Sequence, residues 1–405
     1  MKLSRGSKVA VGAGGILQVN GKPFFPIGAR HMPLGGNPDL LRQAGFNSMR
    51  WMAFSISVGR DTIPASALPA DLGGLMFYAY VYDRGDLSRQ ADRRRKELAA
   101  LVRRVRRHEA LLCYEQRNEP AFTWRNAARP QSPAAGLIAG SGVIRELDPH
   151  HPIRVGHMSG NLVSTLRRYN PAVDIVGCNT YVLNSPGHRL FVGCRQDGRF
   201  LDTPNQTLSA VGEMTTKMAR VAEGRPVWMQ IQAMANEDWF SLGHTPENRG
   251  SCRFEHTRLV PSRWQLRFMT FNAIIRGATG LEFAMNRLSV KEPAWMGIRD
   301  VIRELRDLGG VLVAPVWPGR LRIDYRELGF SDWTGVEVLV KLHRDRPWIL
   351  AANTQPDPME ATFSQLPKFS GGKIGVFGED RALSIRSGKF TDYFRPFEVH
   401  VYAPE

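Results

Sequence analysis

Short apolar runs alternate with amphipathic, helix-like segments over about the first 310 residues, a pattern typical of parallel strands joined by helices. The eight apolar runs have the length of buried strands, and that count predicts a closed (β/α)₈ barrel. A hairpin that turns at Asn20 and Gly21 is predicted to precede the barrel. The predicted strands span residues 24–29, 47–53, 75–82, 111–117, 153–157, 174–181, 226–232 and 281–285.

The pattern changes near residue 312. Val336 and Val338 alternate with polar neighbours such as Lys341, as in a strand with one solvated face, and short runs of this kind continue to the C-terminus. We therefore predict an α/β protein of two domains. Residues 1–311 form a TIM barrel with an N-terminal hairpin, and residues 312–405 form a small antiparallel β-sandwich.

The formal net charge is +16, which favours polyanionic partners. Much of the excess lies in residues 89–107, where Leu98, Leu101, Val102 and Val105 recur at helical spacing among arginines. This spacing predicts an amphipathic helix outside the barrel with its arginines in solvent. We find no nucleic-acid-binding module and no interleaved aromatic residues, so a nucleic-acid partner is not expected.

The four cysteines form no CxxC pair and have no histidine at zinc-ligand spacing, so we expect no metal. Cys113 and Cys178 lie in apolar runs and are predicted core residues, whereas pairing of Cys194 with Cys252 is left open for an exported protein. No Gly-rich phosphate loop is present, and no cofactor is expected. No apolar run reaches the ~18 residues of a membrane span. The Gly-rich N-terminus leads into the hairpin and is not interpreted as a signal peptide.

The fourth predicted strand ends in the motif "YEQRNEP", residues 114–120. Active sites of (β/α)₈ barrels lie at the C-terminal ends of the strands. Cleavage of a glycosidic bond needs a carboxylic acid that protonates the leaving oxygen and a second carboxylate that attacks or activates water. Glu119 is placed to be the general acid/base, and Asn118 is placed to bind a sugar hydroxyl.

This motif resembles the "WExxNEP" sequence of glycoside hydrolase clan A, with Tyr114 where tryptophan is usual. Other segments resemble the strands of the same clan, and these are "GKPFFPIGAR", "GFNSMRW", "DIVGCNTYV" and "AIIRGATGLEF". The tail "FTDYFRPFEVHVY" resembles the β-sandwich domains appended to such barrels. The resemblance implies hydrolysis of a β-linked poly- or oligosaccharide and an extracytoplasmic location. It also implies that Arg50 supports the catalytic carboxylates and that Tyr181 is a site tyrosine.

The seventh strand departs from the clan, whose nucleophilic glutamate usually lies about five residues after a proline such as Pro226. Ile231 stands at that position between Gln230 and Gln232, and a glutamine amide is neither a nucleophile nor a base. Resemblance to barrels with "PVWxxLQAF" on this strand favours Gln232 as the natural residue.

Four alternatives follow from this departure. The nucleophile has moved, with Glu237 and Glu282 as candidates; the enzyme inverts and uses a more distant base; a glutamate was changed deliberately to glutamine; or hydrolysis has been lost and binding kept. Without a catalytic role, Glu237 would be an exposed loop residue and Glu282 part of a structural ion pair. The competing hypothesis is accordingly a non-catalytic carbohydrate-binding barrel.

Several further side chains near predicted strand ends are candidates for sugar binding. Rings stack on the apolar faces of sugars, while histidine and amide groups bind hydroxyls. The candidates are Arg50, Asn118, Tyr181, Gln232, Trp239 and His31, with Trp51, Trp124 and His157 as additional possibilities.

Overall fold

The structure is a computed structural model that describes most of the chain. The described residues are 6–30, 37–58, 61–63, 65, 67–68, 71–122, 130–183, 195–196, 199–200, 205–236, 259–285, 288–325, 335–369 and 371–405. The predicted site residues His31, Glu237 and Trp239 lie outside these ranges, as do Trp124, Cys194 and Cys252.

Eight parallel strands close into a barrel in chain order, which confirms the predicted TIM barrel. The strands of the first part of the chain are β1 (Val9–Val11), β2 (Leu17–Val19), β3 (Lys22–Phe24), β4 (Ile27–Arg30), β5 (Ser48–Met52), β6 (Ile56–Val58), β7 (Asp61–Ile63), β8 (Met76–Tyr80), β9 (Leu111–Glu115), β10 (Ile153–Met158), β11 (Ile175–Asn179), β12 (Arg195–Gln196), β13 (Arg199–Phe200), β14 (Val227–Gln232) and β15 (Gly280–Ala284). The barrel consists of β4, β5, β8, β9, β10, β11, β14 and β15.

The first barrel strand begins three residues later than the sequence pattern predicts. Phe24 pairs with Leu17 in the separate sheet of β1, β2 and β3, and Pro26, which has no N–H group, separates the two sheets. The hairpin turn is at the predicted place. Asn20 and Gly21 have φ angles of 51° and 78°, as a tight turn between two twisted strands requires.

Helices cover the outside of the barrel, and among the described helices none is long and apolar enough to cross a membrane. The helices are Pro38–Ala44, Ala91–Val105, Ala134–Leu147, Val163–Arg167, Ala210–Ala222, Arg263–Ile275, Pro293–Asp307 and Gly309–Leu312. The sixth strand is followed by a helix that begins at Ala210. Asn205 accepts the backbone N–H of Thr207 at 2.9 Å and so holds a turn before the helix.

The arginine-rich helix Ala91–Val105 lies outside the barrel as predicted. Leu98, Leu101, Val102 and Val105 are buried against the protein, and the exposed positions of its other face include Arg93, Arg95, Arg103 and Arg104. The apolar stripe therefore accounts for the spacing seen in the sequence.

The C-terminal strands form two packed antiparallel sheets, which fits the predicted β-sandwich. They are β16 (Arg322–Tyr325), β17 (Val336–His343), β18 (Arg346–Asn353), β19 (Met359–Ser364), β20 (Lys373–Val376), β21 (Ala382–Ser384), β22 (Phe390–Phe394) and β23 (Val399–Pro404). One sheet has the order β16-β19-β22 and the other β17-β18-β23-β20-β21. Aromatic rings fill the space between them, and Phe363 and Phe390 stack with centroids 4.6 Å apart.

The sandwich packs against the barrel through the helix Arg263–Ile275. Leu350 and Val401 join the apolar core of the barrel, and Phe268 contacts Phe397 with ring centroids 5.1 Å apart. Polar contacts reinforce the interface, since Arg267 Nη1 donates to the carbonyl oxygen of Val399 at 2.6 Å.

Lys341 is a buried amine at the junction of the two domains. Its Nζ donates to the carbonyl oxygens of Leu312 at 2.6 Å and Ala314 at 3.0 Å. Burial lowers the pKa of Lys341 to about 8. The folded protein therefore releases this proton more readily than the unfolded chain does.

This pKa predicts how stability depends on pH. Between about pH 8 and the ordinary lysine pKa, unfolding takes up a proton at residue 341, so wild type should gain stability relative to Lys341→Met as pH rises through this window. The gain should approach about 3 kcal/mol, measured by chemical denaturation at pH 7, 8.5 and 10. The exposed Lys373→Met is the matched control. Parallel pH profiles for wild type and Lys341→Met would contradict the prediction.

Candidate active site

The barrel interior contains a buried ion network, which we define as Arg30, Arg50, Glu115, Arg154 and Glu282. These residues come from β4, β5, β9, β10 and β15. Successive side chains of a barrel strand point alternately inward and outward, which brings these five together inside. Their side chains are at most 4% exposed.

Two bidentate ion pairs make up most of this network. Arg50 donates to both oxygens of Glu115, at 2.7 Å through Nε and 2.5 Å through Nη2. Arg154 donates to both oxygens of Glu282, at 2.5 Å and 2.7 Å. Arg30 joins the pairs, because its Nη1 lies 3.7 Å from Glu115 Oε1 and 3.5 Å from Glu282 Oε2.

Both glutamates of the network are ionised at neutral pH. Burial alone would raise their pKa values, but the guanidinium groups outweigh it and lower the pKa of Glu115 to about 2 and that of Glu282 below its ordinary value. Glu282 lies in the middle of β15, is 1% exposed and has both oxygens occupied by Arg154. This geometry favours the structural ion pair, the alternative to a nucleophile that the sequence leaves open for Glu282.

Glu119 lies four residues beyond Glu115, just past the end of β9 at the mouth of the barrel. It is half-buried and has a φ of 51°, in the left-handed region that few non-glycine residues adopt. Its N–H donates to the carbonyl oxygen of Gly156 at 2.6 Å, which fixes the peptide to the neighbouring strand β10. Backbone strain of this kind is concentrated at functional sites.

The neighbouring Asn118 also depends on a close approach to β10. A Cβ atom at Gly156 would lie 2.8 Å from Asn118 Oδ1, so only glycine leaves room for this amide. The backbone N–H of Asn118 is 3.4 Å from the hydroxyl of Tyr80 in the barrel interior. Arg117 donates to Gln131 at 2.6 Å, and Gln131 in turn donates to the carbonyl oxygen of Glu119 at 3.3 Å.

The carboxylate of Glu119 is connected to the ion network through Asn179, the last residue of β11. Asn179 Nδ2 donates to Glu119 Oε1, and Asn179 Oδ1 accepts from Arg30 Nη1 at 3.4 Å. Asn179 is absent from the sequence-predicted site, although it stands within the quoted "DIVGCNTYV" segment two positions before Tyr181. The sequence feature that could have identified Asn179 is its position near the end of the sixth predicted strand.

The pKa of Glu119 is raised above its ordinary value. Burial is the main cause; the hydrogen bond from Asn179 and the charges of Arg30, Arg117 and Arg50 act in the opposite direction. A raised pKa keeps more of this carboxyl protonated near neutral pH, as a general acid requires.

On strand β14, Gln230 and Gln232 flank Ile231, the position where the clan usually has a nucleophile. Gln230 pairs in register with Asn179 and with Glu282, and its Nε2 donates to the hydroxyl of Tyr181 at 2.5 Å. Tyr181, a predicted substrate-binding residue, is half-buried at this edge of the barrel. Gln230 and Tyr181 are thus held together beside the strand that carries Asn179.

Gln232 does not fit the predicted role in substrate binding. Its Oε1 accepts the N–H of Leu183 at 2.9 Å, and its Nε2 donates to the carbonyl oxygens of Leu183 at 2.7 Å and Met234 at 3.2 Å. The residue is fully buried. Its amide therefore fastens the end of β14 to the segment after β11.

Arg50 supports a carboxylate, as the resemblance implies, but that carboxylate is Glu115 and not Glu119. Its guanidinium lies over the ring of Tyr80, 4.0 Å from the centroid, and only 6% of the residue is exposed. The structure therefore contradicts a direct role of Arg50 in sugar binding. From the barrel interior, its positive charge acts to lower the pKa of Glu119.

Three other residues named in the sequence analysis face away from the mouth. Tyr114, which stands where the clan motif usually has tryptophan, donates to Asp148 Oδ2 at 2.7 Å behind the barrel wall. Trp51 is fully buried against Phe77. His157 is fully buried and its pKa is lowered to about 3 by burial, so it is a neutral core residue. On each strand these residues occupy the outward-facing positions.

A second polar cluster has the residue types of a hydrolase triad but not its accessibility. Ser7 Oγ lies 3.0 Å from His151 Nε2, and His151 Nδ1 lies 2.8 Å from Asp148 Oδ2. All three residues are buried, and Ser7 Oγ donates to the carbonyl oxygen of Leu111 at the start of β9. The cluster attaches the N-terminal segment to the end of the barrel opposite the mouth.

Other sequence expectations concern metals and cysteines. Within the described ranges, no group of three or more His, Cys, Asp or Glu side chains is arranged to hold a metal ion. Cys113 and Cys178 are buried in the core as predicted, and both are free thiols.

The described strands define a (β/α)₈ barrel with an appended β-sandwich, and solved structures with this fold are similar to the chain. No protein-family model and no curated protein matches it. A family 5 mannosidase from Rhizomucor miehei superimposes with a TM-score of 0.51 at 12% identity, covering 75% of this chain and 99% of the mannosidase. An α-amylase from Anoxybacillus has a TM-score of 0.50 at 9% identity and covers 100% of this chain and 97% of its own. The fold expected from the resemblance to clan A is confirmed.

Glu119 at the mouth and Glu282 in the barrel interior should respond differently to substitution. Glu282→Gln leaves Arg154 buried without its charged partner and should reduce the free energy of unfolding by about 3–5 kcal/mol. Glu119→Gln removes no bidentate pair and should change it by less than about 1 kcal/mol. Chemical denaturation measures both, and Asp39→Asn, which breaks an exposed ion pair, is a surface control. A Glu282→Gln variant as stable as wild type would contradict the structural role.

Proposed function

We propose that the protein is a glycoside hydrolase that acts on a β-linked poly- or oligosaccharide, with Glu119 as the general acid/base. The observation that carries the proposal is a half-buried carboxyl with a raised pKa at the mouth of a glycosidase-type barrel. General acid catalysis requires a carboxyl that is protonated at the working pH and can reach the leaving oxygen.

The hydrogen bonds of Glu119 indicate which of its oxygens carries the transferable proton during the reaction. Asn179 donates to Oε1, so the transferable proton belongs on Oε2. When Oε2 gives this proton to the glycosidic oxygen, the bond from that oxygen to the anomeric carbon breaks as the second carboxylate, or the water it activates, bonds to the carbon, and Glu119 becomes a carboxylate. The Asn179 amide and the charge of Arg30 then stabilise that carboxylate, which in a retaining reaction next accepts a proton from the water that releases the sugar.

The reaction also needs a second carboxylate. Glu115 and Glu282, which lie on barrel strands, are both held by arginines. We keep Glu237, five residues after Gln232, as the candidate. A separation of about 5–5.5 Å between its carboxyl and that of Glu119 would imply retention, and about 6.5–9.5 Å would imply inversion.

A non-catalytic carbohydrate-binding barrel is the second candidate function. It is favoured by β14, which has Ile231 at the position of the clan nucleophile and glutamines on either side of it. Binding of an oligosaccharide without any turnover, measured by calorimetry together with product analysis, would identify this function. We also propose an extracytoplasmic location, which follows from the same resemblance, and no nucleic-acid partner.

The role of Glu119 predicts a loss that depends on the leaving group. Glu119→Gln keeps the shape of the side chain but removes the transferable proton, so kcat on a polysaccharide should fall by about 10²–10⁴-fold. An aryl glycoside with a good leaving group needs little protonation and should lose much less.

Reducing-end release from a polysaccharide panel and aryl glycoside kinetics measure the two effects. Glu146→Gln, on the exposed surface, is the matched control and should behave as wild type. Equal rates of wild type and Glu119→Gln on the same glycan would show that the assignment is wrong.

The hydrogen bond from Asn179 predicts a change in the pH profile. This bond favours the carboxylate form of Glu119, so replacement of its donor in Asn179→Leu should raise the pKa of Glu119 further. The alkaline limb of kcat/KM, along which the acid form is lost, should therefore move to higher pH. A limb that stays in place or moves to lower pH would contradict control of Glu119 by Asn179.

A further inference from the structure

A cleft lies between the barrel and the sandwich, beside the segment that follows β11. Its volume is about 370 Å³, which is within the range of ligand-binding pockets. We call it the interdomain cleft. The residues that line it include Leu183, Trp264, Gln265, Pro396 and Phe397.

Trp264 is the main aromatic surface of the interdomain cleft. It is the second residue of the helix Arg263–Ile275, and 63% of it is exposed although tryptophan is usually well buried. The Arg263 guanidinium lies 5.2 Å from the ring centroid, so a cation already contacts the indole. An exposed indole supplies a flat apolar surface of the kind on which sugar rings stack.

The lining of the interdomain cleft selects for a neutral ligand. None of the described residues that line it carries a charge, although the whole chain has a net charge of +16. Gln265 accepts the backbone N–H of Ser262 through Oε1 at 2.9 Å, which leaves its NH₂ group as a donor for a hydroxyl. Apolar faces combined with hydroxyl partners are the features of a neutral carbohydrate, not of an acidic peptide or a nucleic acid.

The interdomain cleft is linked to the mouth of the barrel through Leu183, which lines it. Leu183 stands four residues after Asn179, and both backbone polar groups of Leu183 are bound by Gln232 at the end of β14. The opposite wall is held in place because Phe397 packs on Phe268 of the barrel helix. The end of the strand that carries Asn179 is thus connected to the cleft by a short, anchored segment.

We propose that the interdomain cleft is a distal glycan-binding site, in which Trp264 stacks on a neutral sugar ring of the same chain that is cleaved beside Glu119. The site rests on the proposed function for its ligand class. It also gives Gln232 a positioning role, since its amide holds the wall of the cleft and has no described contact with Glu119.

The test compares Trp264→Ala with Tyr393→Ala, which removes an equally exposed ring from the sandwich surface. With a panel of neutral polysaccharides (β-mannan, xylan and β-glucan), Trp264→Ala should lower kcat/KM by about 3–10-fold on whichever polymer is cleaved. An aryl monosaccharide glycoside has no distal sugar ring to offer the cleft, so its kcat/KM should not change. Trp264→Phe, which keeps a ring, should retain most of the polymer activity.

Calorimetry with oligosaccharides from the same panel separates this proposal from the proposed function. If no substrate is cleaved, the glycosidase assignment fails, but weaker binding by Trp264→Ala than by wild type and Tyr393→Ala still supports the cleft. Equal oligosaccharide affinity and equal polymer kinetics in wild type and a folded Trp264→Ala would overturn it. Equal losses on the polymer and the aryl glycoside would overturn it as well, because they would indicate a general effect on the enzyme.

Discussion

The pairing of buried charges inside the barrel is the constraint on which the rest of the site depends. Removing a carboxylate or guanidinium from water is costly unless excellent geometry and further hydrogen bonds offset the cost. The strands supply that geometry because each member of the ion network comes from a different strand of a closed barrel. Arg30 connects the network to Asn179 by a hydrogen bond, and Asn179 in turn donates a hydrogen bond to Glu119. The Glu119 carboxyl, the proposed general acid/base, is therefore positioned by the same interactions that make a charged barrel interior tolerable.

The network also influences the protonation of Glu119. Its three arginines and two glutamates leave one positive charge in excess, by 3 − 2 = +1. An ionised Glu119 would balance that excess, whereas burial favours the protonated form. These opposing effects make the carboxyl able to exist in both forms, as a group that first donates and then accepts a proton must. An isolated buried carboxyl would remain protonated, and a bidentate one such as Glu115 remains ionised.

The features predictable from the sequence are those set by local pattern. Apolar runs of strand length predicted the barrel, and the "NEP" motif at the end of the fourth strand identified Glu119 as a candidate. The pairing of Glu282 with Arg154 joins residues 128 positions apart, so no local pattern indicates it. Whether Gln232 faces a ligand or the backbone depends on the path of the chain at Leu183. The motif that located Glu119 likewise says nothing about its partner Asn179, because the two meet only when the barrel closes.

Direct titration of Glu119 tests the central claim that this carboxyl, above a permanently ionised network, is the group that exchanges protons. Carbon-13 NMR of protein labelled at the glutamate side-chain carboxyl carbons follows each group, with Glu119→Gln, Glu115→Gln and Glu282→Gln for assignment. The account predicts that the pKa of Glu119 lies above the ordinary glutamate value, while those of Glu115 and Glu282 lie below it. A Glu119 signal that titrates at or below the ordinary value, or a Glu282 signal that titrates near neutral pH, would contradict it.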